Sequence, residues 1–277
     1  MAEDNAAPDQ TPQKKSFLGR IARSFRRGAI RLENSASFMY LRAFSRAGII
    51  LIALGFFLDL DDRQAATKFR AWQTLSSTAP GNIGKAEAME YLVSVDEVLD
   101  RTDARKAYLA GAQIAGVSLS HADLSGSDLT NADLSGAVMI ESRLDDAVMP
   151  GVRFDSAVLD ELSARRANLI RASMVGVSAS GANFSGVSLD AADLTTTDLS
   201  YANLSGATLT GANLTGATLR MANISGADFS GASGVTRGQA TSACIIDSVV
   251  PVNMPVIEIA FTDCTTNEIW RRRLAED

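Results

Sequence analysis

The sequence predicts a β-solenoid, a rod of stacked short coils, set behind a helical, membrane-directed N-terminal third. Three observations carry this. From Ala107 to Gly231 the chain keeps one five-residue register without a gap, 25 pentads over 125 residues. The third residue of the pentad is large and apolar in 23 of the 25, and the first is Ala in 17. The other three positions draw mainly on Asp, Asn, Ser, Thr and Gly. A period of five matches neither the 3.6 of a helix nor the 2 of a strand. Held over many copies, it marks a solenoid. One large and one small inward residue per pentad cannot close a globular core. Stacked at ~4.8 Å, however, each large residue packs on its copy in the next coil. The small residue keeps the coil narrow, and the polar residues suit turns.

The runs "AYLAG AQIAG VSLSH ADLSG" and "ANLSG ATLTG ANLTG" resemble the pentapeptide-repeat proteins, whose consensus is Ala-(Asp/Asn)-Leu-x-x. The resemblance covers about half the chain. It implies an all-β right-handed quadrilateral β-helix of four pentads, or 20 residues, per coil. On that geometry the repeat block forms just over six coils and a rod ~30 Å long. The expected whole is this solenoid with an N-terminal α-helical membrane anchor and cap and a short C-terminal capping helix. The divisions are 1–35, 36–62, 63–106, 107–236 and 237–277.

Residues 1–12 are polar and unpatterned and are expected to be disordered. Lys14 to Arg31 carries seven basic residues and no acidic one, with Phe17, Leu18, Ile21 and Phe25 at helical spacing. That pattern fits an amphipathic helix on an anionic membrane, the alternative being a solvated basic helix. Ala47 to Leu58 is the most apolar window. Twelve residues do not cross a bilayer. Extension back through Phe38 gives about 21, enclosing Arg42 and Arg46, which can snorkel. Residues 36–62 are therefore expected to form a single transmembrane helix, with a buried core helix as the alternative. Nine basic against four acidic residues precede the apolar run, and Asp59, Asp61 and Asp62 follow it. The positive-inside bias then puts the N-terminus in the cytoplasm of a bacterial inner membrane and the rod outside it.

Residues 63–77 read as a helix, broken by Pro80 and Gly81. Lys85–Asp100 reads as a second, amphipathic helix carrying Met89, Leu92, Val95 and Val98/Leu99, placed to cover the open strand edges at the rod's start. The sequence "AWQ…APGN.GK.EA.EYL" resembles a segment upstream of the repeats in membrane-attached bacterial members of the family. Trp72 and Trp270 read as packing or interfacial residues rather than ligand platforms.

Within the rod, a period of 20 sets Asp145 and Asp146 under Arg165 and Arg166 as a ladder of opposite charges, each pair expected to be exposed. Val138 then lies under Val158 and Glu141 under Glu161. With Ile140 and Asp160 these form the candidate interaction face, since an outward Val pair and a like-charged Glu pair have no stability rationale. The alternative is a drifted surface with no partner. Leu162 and Phe184 compensate the small Ala164 inside.

After Gly231 the spacing of Thr236 and Gln239 predicts a capping box and a short closing helix. A similar "T..Q…AC" segment follows the repeats in many family members. Residues 249–264 are expected to form an extended strap along the rod. Thr265 and Glu268 are spaced as a second capping box for a last helix. Cys244 and Cys264 are the only cysteines. Two buried free thiols fit the sequence, and so does a disulfide; an extracytoplasmic rod favours the disulfide.

No nucleotide loop, metal-ligand spacing or nucleophile–base constellation is present. The single His, His121, falls at an outward turn position. Asp123, Asp128, Asp133, Asp193 and Asp198 read as turn formers. No cofactor, small-molecule substrate or nucleic acid is expected; the repeat block has 13 Asp/Glu and six Lys/Arg. The expected function is a non-enzymatic membrane-anchored scaffold whose partners are membrane lipid and a protein. The alternative, implied by the resemblance, is a DNA mimic that binds a type II topoisomerase.

Overall fold

The computed structural model describes residues 63–75, 77, 84–246, 249–254 and 261–276. The chain divides into two units, Met1–Gln64 and Ala65–Asp277, and nearly all described residues lie in the second. The disordered tail, basic helix and transmembrane helix expected before residue 63 lie outside the described residues. Among the described residues no helix is long and apolar enough to cross a membrane.

The repeat block is a four-sided coil. From Asp103↔Asp123 to Asn213↔Ser233 every bridge is parallel and joins residue i to residue i+20. The side chains at positions one and three point inward, so Leu124, Leu144 and Ala164 form one buried column, as do Leu109, Leu129 and Met149. Each corner is a tight turn closed by a bond from the next first-position N–H to the third-position carbonyl, as in Ala112 to Leu109 at 3.1 Å. Every fifth residue from Arg101 to Gly231 takes a positive φ of 53–74°. That is the signature of a type II turn and the reason Gly recurs at this position.

The backbone accounting explains the outward polar residues. The N–H groups of positions two, three and five enter the ladder, and that of position one closes the turn. The fourth N–H is left over, and an orphaned amide is costly. The sequence satisfies it in two ways. Where position two is Asp or Asn, its carboxyl or amide oxygen accepts that N–H within the same pentad, as in Ser125 to Asp123 at 3.0 Å and Ser205 to Asn203 at 3.1 Å. At five pentads whose position two is Ser or Thr (118, 163, 173, 178 and 208), an Asp at position four of the coil below takes over. Asp100, Asp145, Asp155, Asp160 and Asp190 accept the N–H of residues 120, 165, 175, 180 and 210. The first four also accept the hydroxyl of the Ser two residues before that amide. Pro150, which has no N–H, stands at position four where position two is Val148.

The coil begins earlier than the consensus indicates. Leu99 and Ala104 are buried at third positions, and Leu99 N–H bonds to Ser118. Helix α1 covers residues 63–75 and α2 covers Lys85–Ser94. The expected helix to Asp100 is thus corrected. It stops at Ser94 because residues 99–101 are drawn into the ladder with 118–120. Val98, expected on the buried face, is 61% exposed. Met89 and Leu92 of α2 join the core of the rod with Ala71 and Leu75 of α1. Glu90 accepts the Gln113 N–H at 2.7 Å, blunting an edge. The Trp72 indole donates to Glu97 at 3.3 Å.

At the other end, α3 (Arg237–Ser242) starts with the reciprocal capping box of Thr236 and Gln239. The Gln239 amide also donates to the carbonyls of Leu214 and Ala217. The described parts of the expected strap, 249–254 and 261–264, do not run along the side of the rod; residues 255–260 lie outside the described residues. Cys244 and Val252 bridge onto Asn223 and Asp228, adding a partial coil to its end. Strand β1 (Cys244–Ile245) then pairs in parallel with β2 (Thr262–Asp263). Unpaired ladder groups at the rod's end draw the strap onto it. The second expected capping box does not form. Asp263 takes the N–H and hydroxyl of Thr265, and Asn267 takes the Ile269 N–H before α4 (Glu268–Glu276). An ionised carboxylate is the stronger acceptor, so it starts a 3-10 turn at Cys264–Thr266 and delays the helix.

Candidate functional site

One side of the rod carries the second-position column Ser118, Val138, Val158, Ser178, Asp198, Thr218, joined rung by rung. Val138 and Val158 sit on adjacent coils, half-buried, with Ile140 half-buried beside them. Ser, Asp or Thr occupies the column elsewhere, so the two valines are a local departure from polarity.

The acids of this face already have partners. Asp160 accepts the Ser178 hydroxyl at 2.7 Å and the Ser180 N–H at 2.9 Å, so it belongs to the coil-to-coil bonding. Glu141 faces His121 Nδ1 at 3.4 Å. Both Glu161 oxygens accept from Arg273 of α4, at 2.9 and 2.7 Å. The supposed like-charge pair is therefore divided between His121 and Arg273. Desolvation pushes the Glu161 carboxyl above its ordinary range against the Arg273 charge, and Asp160 and Glu141 push the same way.

Helix α4 occupies the corner next to this face. Its contacts run down the fifth-position column Met221, Tyr201, Gly181, Glu161. Trp270 donates to the Met221 carbonyl at 2.8 Å, and Arg273 to the Tyr201 carbonyl at 2.7 Å and to Glu161. A Cβ on Gly181 would press on the Glu161 carboxylate and the Arg273 guanidinium, and its φ is positive, so glycine leaves room for their contact at this corner. Arg220 stacks over the Tyr201 ring of the same column at 4.8 Å. No periodic signal announces this docking, because it joins residues 112 apart.

The neighbouring side holds the charge ladder. Asp145 receives the Arg165 side chain at 2.9 and 3.2 Å, and Asp146 receives Arg166 at 2.7 and 2.8 Å. The two pairs differ in setting. Asp146 is exposed, but Asp145 is only 5% exposed, against the expectation that both were solvated. It is buried because the Ser163 hydroxyl and Arg165 N–H pull it against the next coil. Burial alone would raise the Asp145 carboxyl; the hydrogen bonds from Arg165 and Ser163 outweigh it and hold it below the ordinary carboxylate range. The Arg166 side chain lowers Asp146.

Cys244 and Cys264 form a disulfide, with Cα atoms 5.0 Å apart. Among the described residues no group of His, Cys, Asp or Glu is placed to hold a metal. The chemistry this surface offers is recognition by shape, apolar contact and charge.

A family model described as pentapeptide repeats matches the chain in eight copies, over residues 98–131, 127–161, 165–200 and 197–233. No curated protein matches the chain. Among solved structures, HetL, a pentapeptide repeat protein involved in heterocyst differentiation regulation in the cyanobacterium Nostoc sp. strain PCC 7120, is 21% identical; the match covers 57% of this chain and 95% of that one, with a TM-score of 0.23. QnrB1, a plasmid-mediated fluoroquinolone resistance protein, is 18% identical over 64% of this chain and 96% of that one, with a TM-score of 0.33. A protein of the Arabidopsis thaliana thylakoid lumen is 27% identical over 45% and 82%, with a TM-score of 0.21.

Proposed function

Because residues 98–233 belong to the pentapeptide-repeat family, we propose that this chain is a non-enzymatic, membrane-anchored scaffold whose rod presents one face to a protein partner. The observation that supports the face is the apolar step Val138–Val158 with Ile140, set in an otherwise polar column. A stiff rod holds such a step at a fixed distance from its base, which suits presentation rather than turnover. The anchor rests on the apolar run Ala47–Leu58 and the basic approach to it. The Cys244–Cys264 bond supports placing the rod in an oxidising, extracytoplasmic compartment of a bacterium, with the N-terminus cytoplasmic.

The DNA-mimic alternative has less support. Arg143, Arg153, Arg165 and Arg166 interrupt the acidic surface and pair with Asp145, Asp133, Asp155 and Asp146. No side among these offers the unbroken negative charge of a duplex.

The test is pull-down from detergent-solubilised membranes with the wild type and with Val138→Asp/Val158→Asp. A specific protein captured by the first and lost by the second supports the face; equal capture removes it. Recovery of the full-length chain wholly in the detergent-free soluble fraction removes the anchor.

A further inference from the structure

The last helix and the disulfide cover one another. Cys244 and Cys264 are both 0% exposed, and Trp270, at 2%, packs in the same cluster with Met221 and Ile246 at its edge. Thiol–disulfide exchange requires a thiolate to reach a disulfide sulfur. While Trp270 is seated, no reductant reaches either one. Trp270 is carried by α4, and α4 is held along the rod by contacts far from the sulfurs. Met221 to Glu161 is three coils, ~14 Å by strand spacing. Trp270 and Arg273 are one helical turn apart, ~4.5 Å, close to the ~4.8 Å between the coils of Met221 and Tyr201, and the long Arg273 side chain reaches on to Glu161. Trp270 thus packs against the disulfide while Arg273 is clamped to Tyr201 and Glu161.

We infer that α4 is a lid on the Cys244–Cys264 bond, and that docking of the lid on the Glu161–Met221 corner controls whether the bond can be reduced. The inference goes beyond the scaffold reading and needs no partner. When the lid lifts, a thiolate of a dithiol reductant attacks one sulfur. A mixed disulfide forms and the other cysteine leaves as thiolate. The second thiol of the reductant closes its own ring and releases the first cysteine. The protein gains two electrons and two protons, and the dithiol becomes a cyclic disulfide. Reduction then unties Cys264, four residues before α4, and leaves the lid held by its own contacts and by the two-residue pairing of β1 with β2. Docking and oxidation thus favour each other. By the same reciprocity, any molecule that displaces α4 from the corner opens the bond to reductant.

The experiment measures thiol release from full-length, folded protein under dithiothreitol, by alkylation and mass spectrometry. Glu161→Gln leaves the cysteines, Trp270 and its contacts untouched; Arg273→Gln leaves the cysteines and Trp270 in place but also removes the guanidinium 5.6 Å from the Trp270 ring. Each is expected to accelerate reduction about fivefold, as loss of an ion-pair anchor worth about 1 kcal/mol would. Leu124→Ala weakens the rod at its other end and is expected to reduce at the wild-type rate, because coils couple mainly to their neighbours. In a second arm, Cys264→Ser is expected to be cut by trypsin at Arg271–Arg273 faster than the oxidised wild type. Wild-type reduction rates in both anchor variants would overturn the lid. So would equal acceleration by Leu124→Ala, which would mean that the bond opens only on global unfolding. Equal tryptic cleavage with and without the bond would overturn the reverse coupling.

Discussion

The Asp160 carboxylate accepts the backbone N–H of Ser180, one coil above it, at 2.9 Å, and the Ser178 hydroxyl at 2.7 Å. A side chain on one coil thus completes the turn of the next. Ser178 stands where Asp198, in the same column, bonds its own turn at Ser200. The two arrangements are interchangeable solutions to one unsatisfied amide.

Asp160→Ala should therefore cost about 1–3 kcal/mol by orphaning the Ser180 amide. Adding Ser178→Asn should recover most of the loss, because Asn at position two caps its own turn as Asn203 does. Denaturant titration of the four proteins checks the cycle, with amide exchange at residue 180 as the local readout. Additive losses in the double variant would contradict the interchange.

Leu204 is fully buried at a third position, between Phe184 and Ile224 in its column. Leu204→Ala should cost about 2–5 kcal/mol. Leu204→Asp buries a charge without a partner and should unfold several coils. Hydrogen exchange should show the loss spreading to neighbouring coils and fading toward Leu109. Protection unchanged beyond residue 204 would contradict the stacking.

The two ladder pairs should separate in double-mutant cycles. Asp146–Arg166 is exposed and should couple by about 0.2–1 kcal/mol. In Asp145–Arg165 two guanidinium N–H groups converge on one oxygen of a buried carboxylate, and the pair should couple more strongly, by about 1.5–3 kcal/mol. Equal coupling would mean that burial of Asp145 adds nothing.

The same carboxylate gives a pH dependence of known sign. The folded-state pKa of Asp145 is depressed, so its contribution is present above the unfolded value of about 3.9 and is lost as pH falls below it, through the folded value. The stability gap between wild type and Asp145→Asn should therefore shrink as pH is lowered through ~4. Thermal unfolding at several pH values measures it; a gap that widens on acidification would reverse the assignment.

The pentad register alone determined the interior of the rod and the offset of 20 that brings Asp145 to Arg165 and Val138 to Val158. In a solenoid every contact repeats at one fixed separation, so a local pattern propagates into tertiary neighbours. The Thr236–Gln239 cap was equally legible, being complete within four residues. Where the consensus weakens, the sequence was a poorer guide. Leu99 and Ala104 keep the register, but Thr102 and the charged residues around them masked the first coil behind an apparent helix. Asp160 could be read as a free surface acid because its acceptor role needs the Ser178 and Ser180 of another coil in place. Only the tertiary structure decided the seat of α4. Trp270 and Arg273 reach the rod across 49, 72 and 112 residues, with no common period. Their partners are two backbone carbonyls, which every sequence possesses, and one glutamate. Such a contact is specified by the shape of the finished corner, and that shape exists only once the coils have stacked.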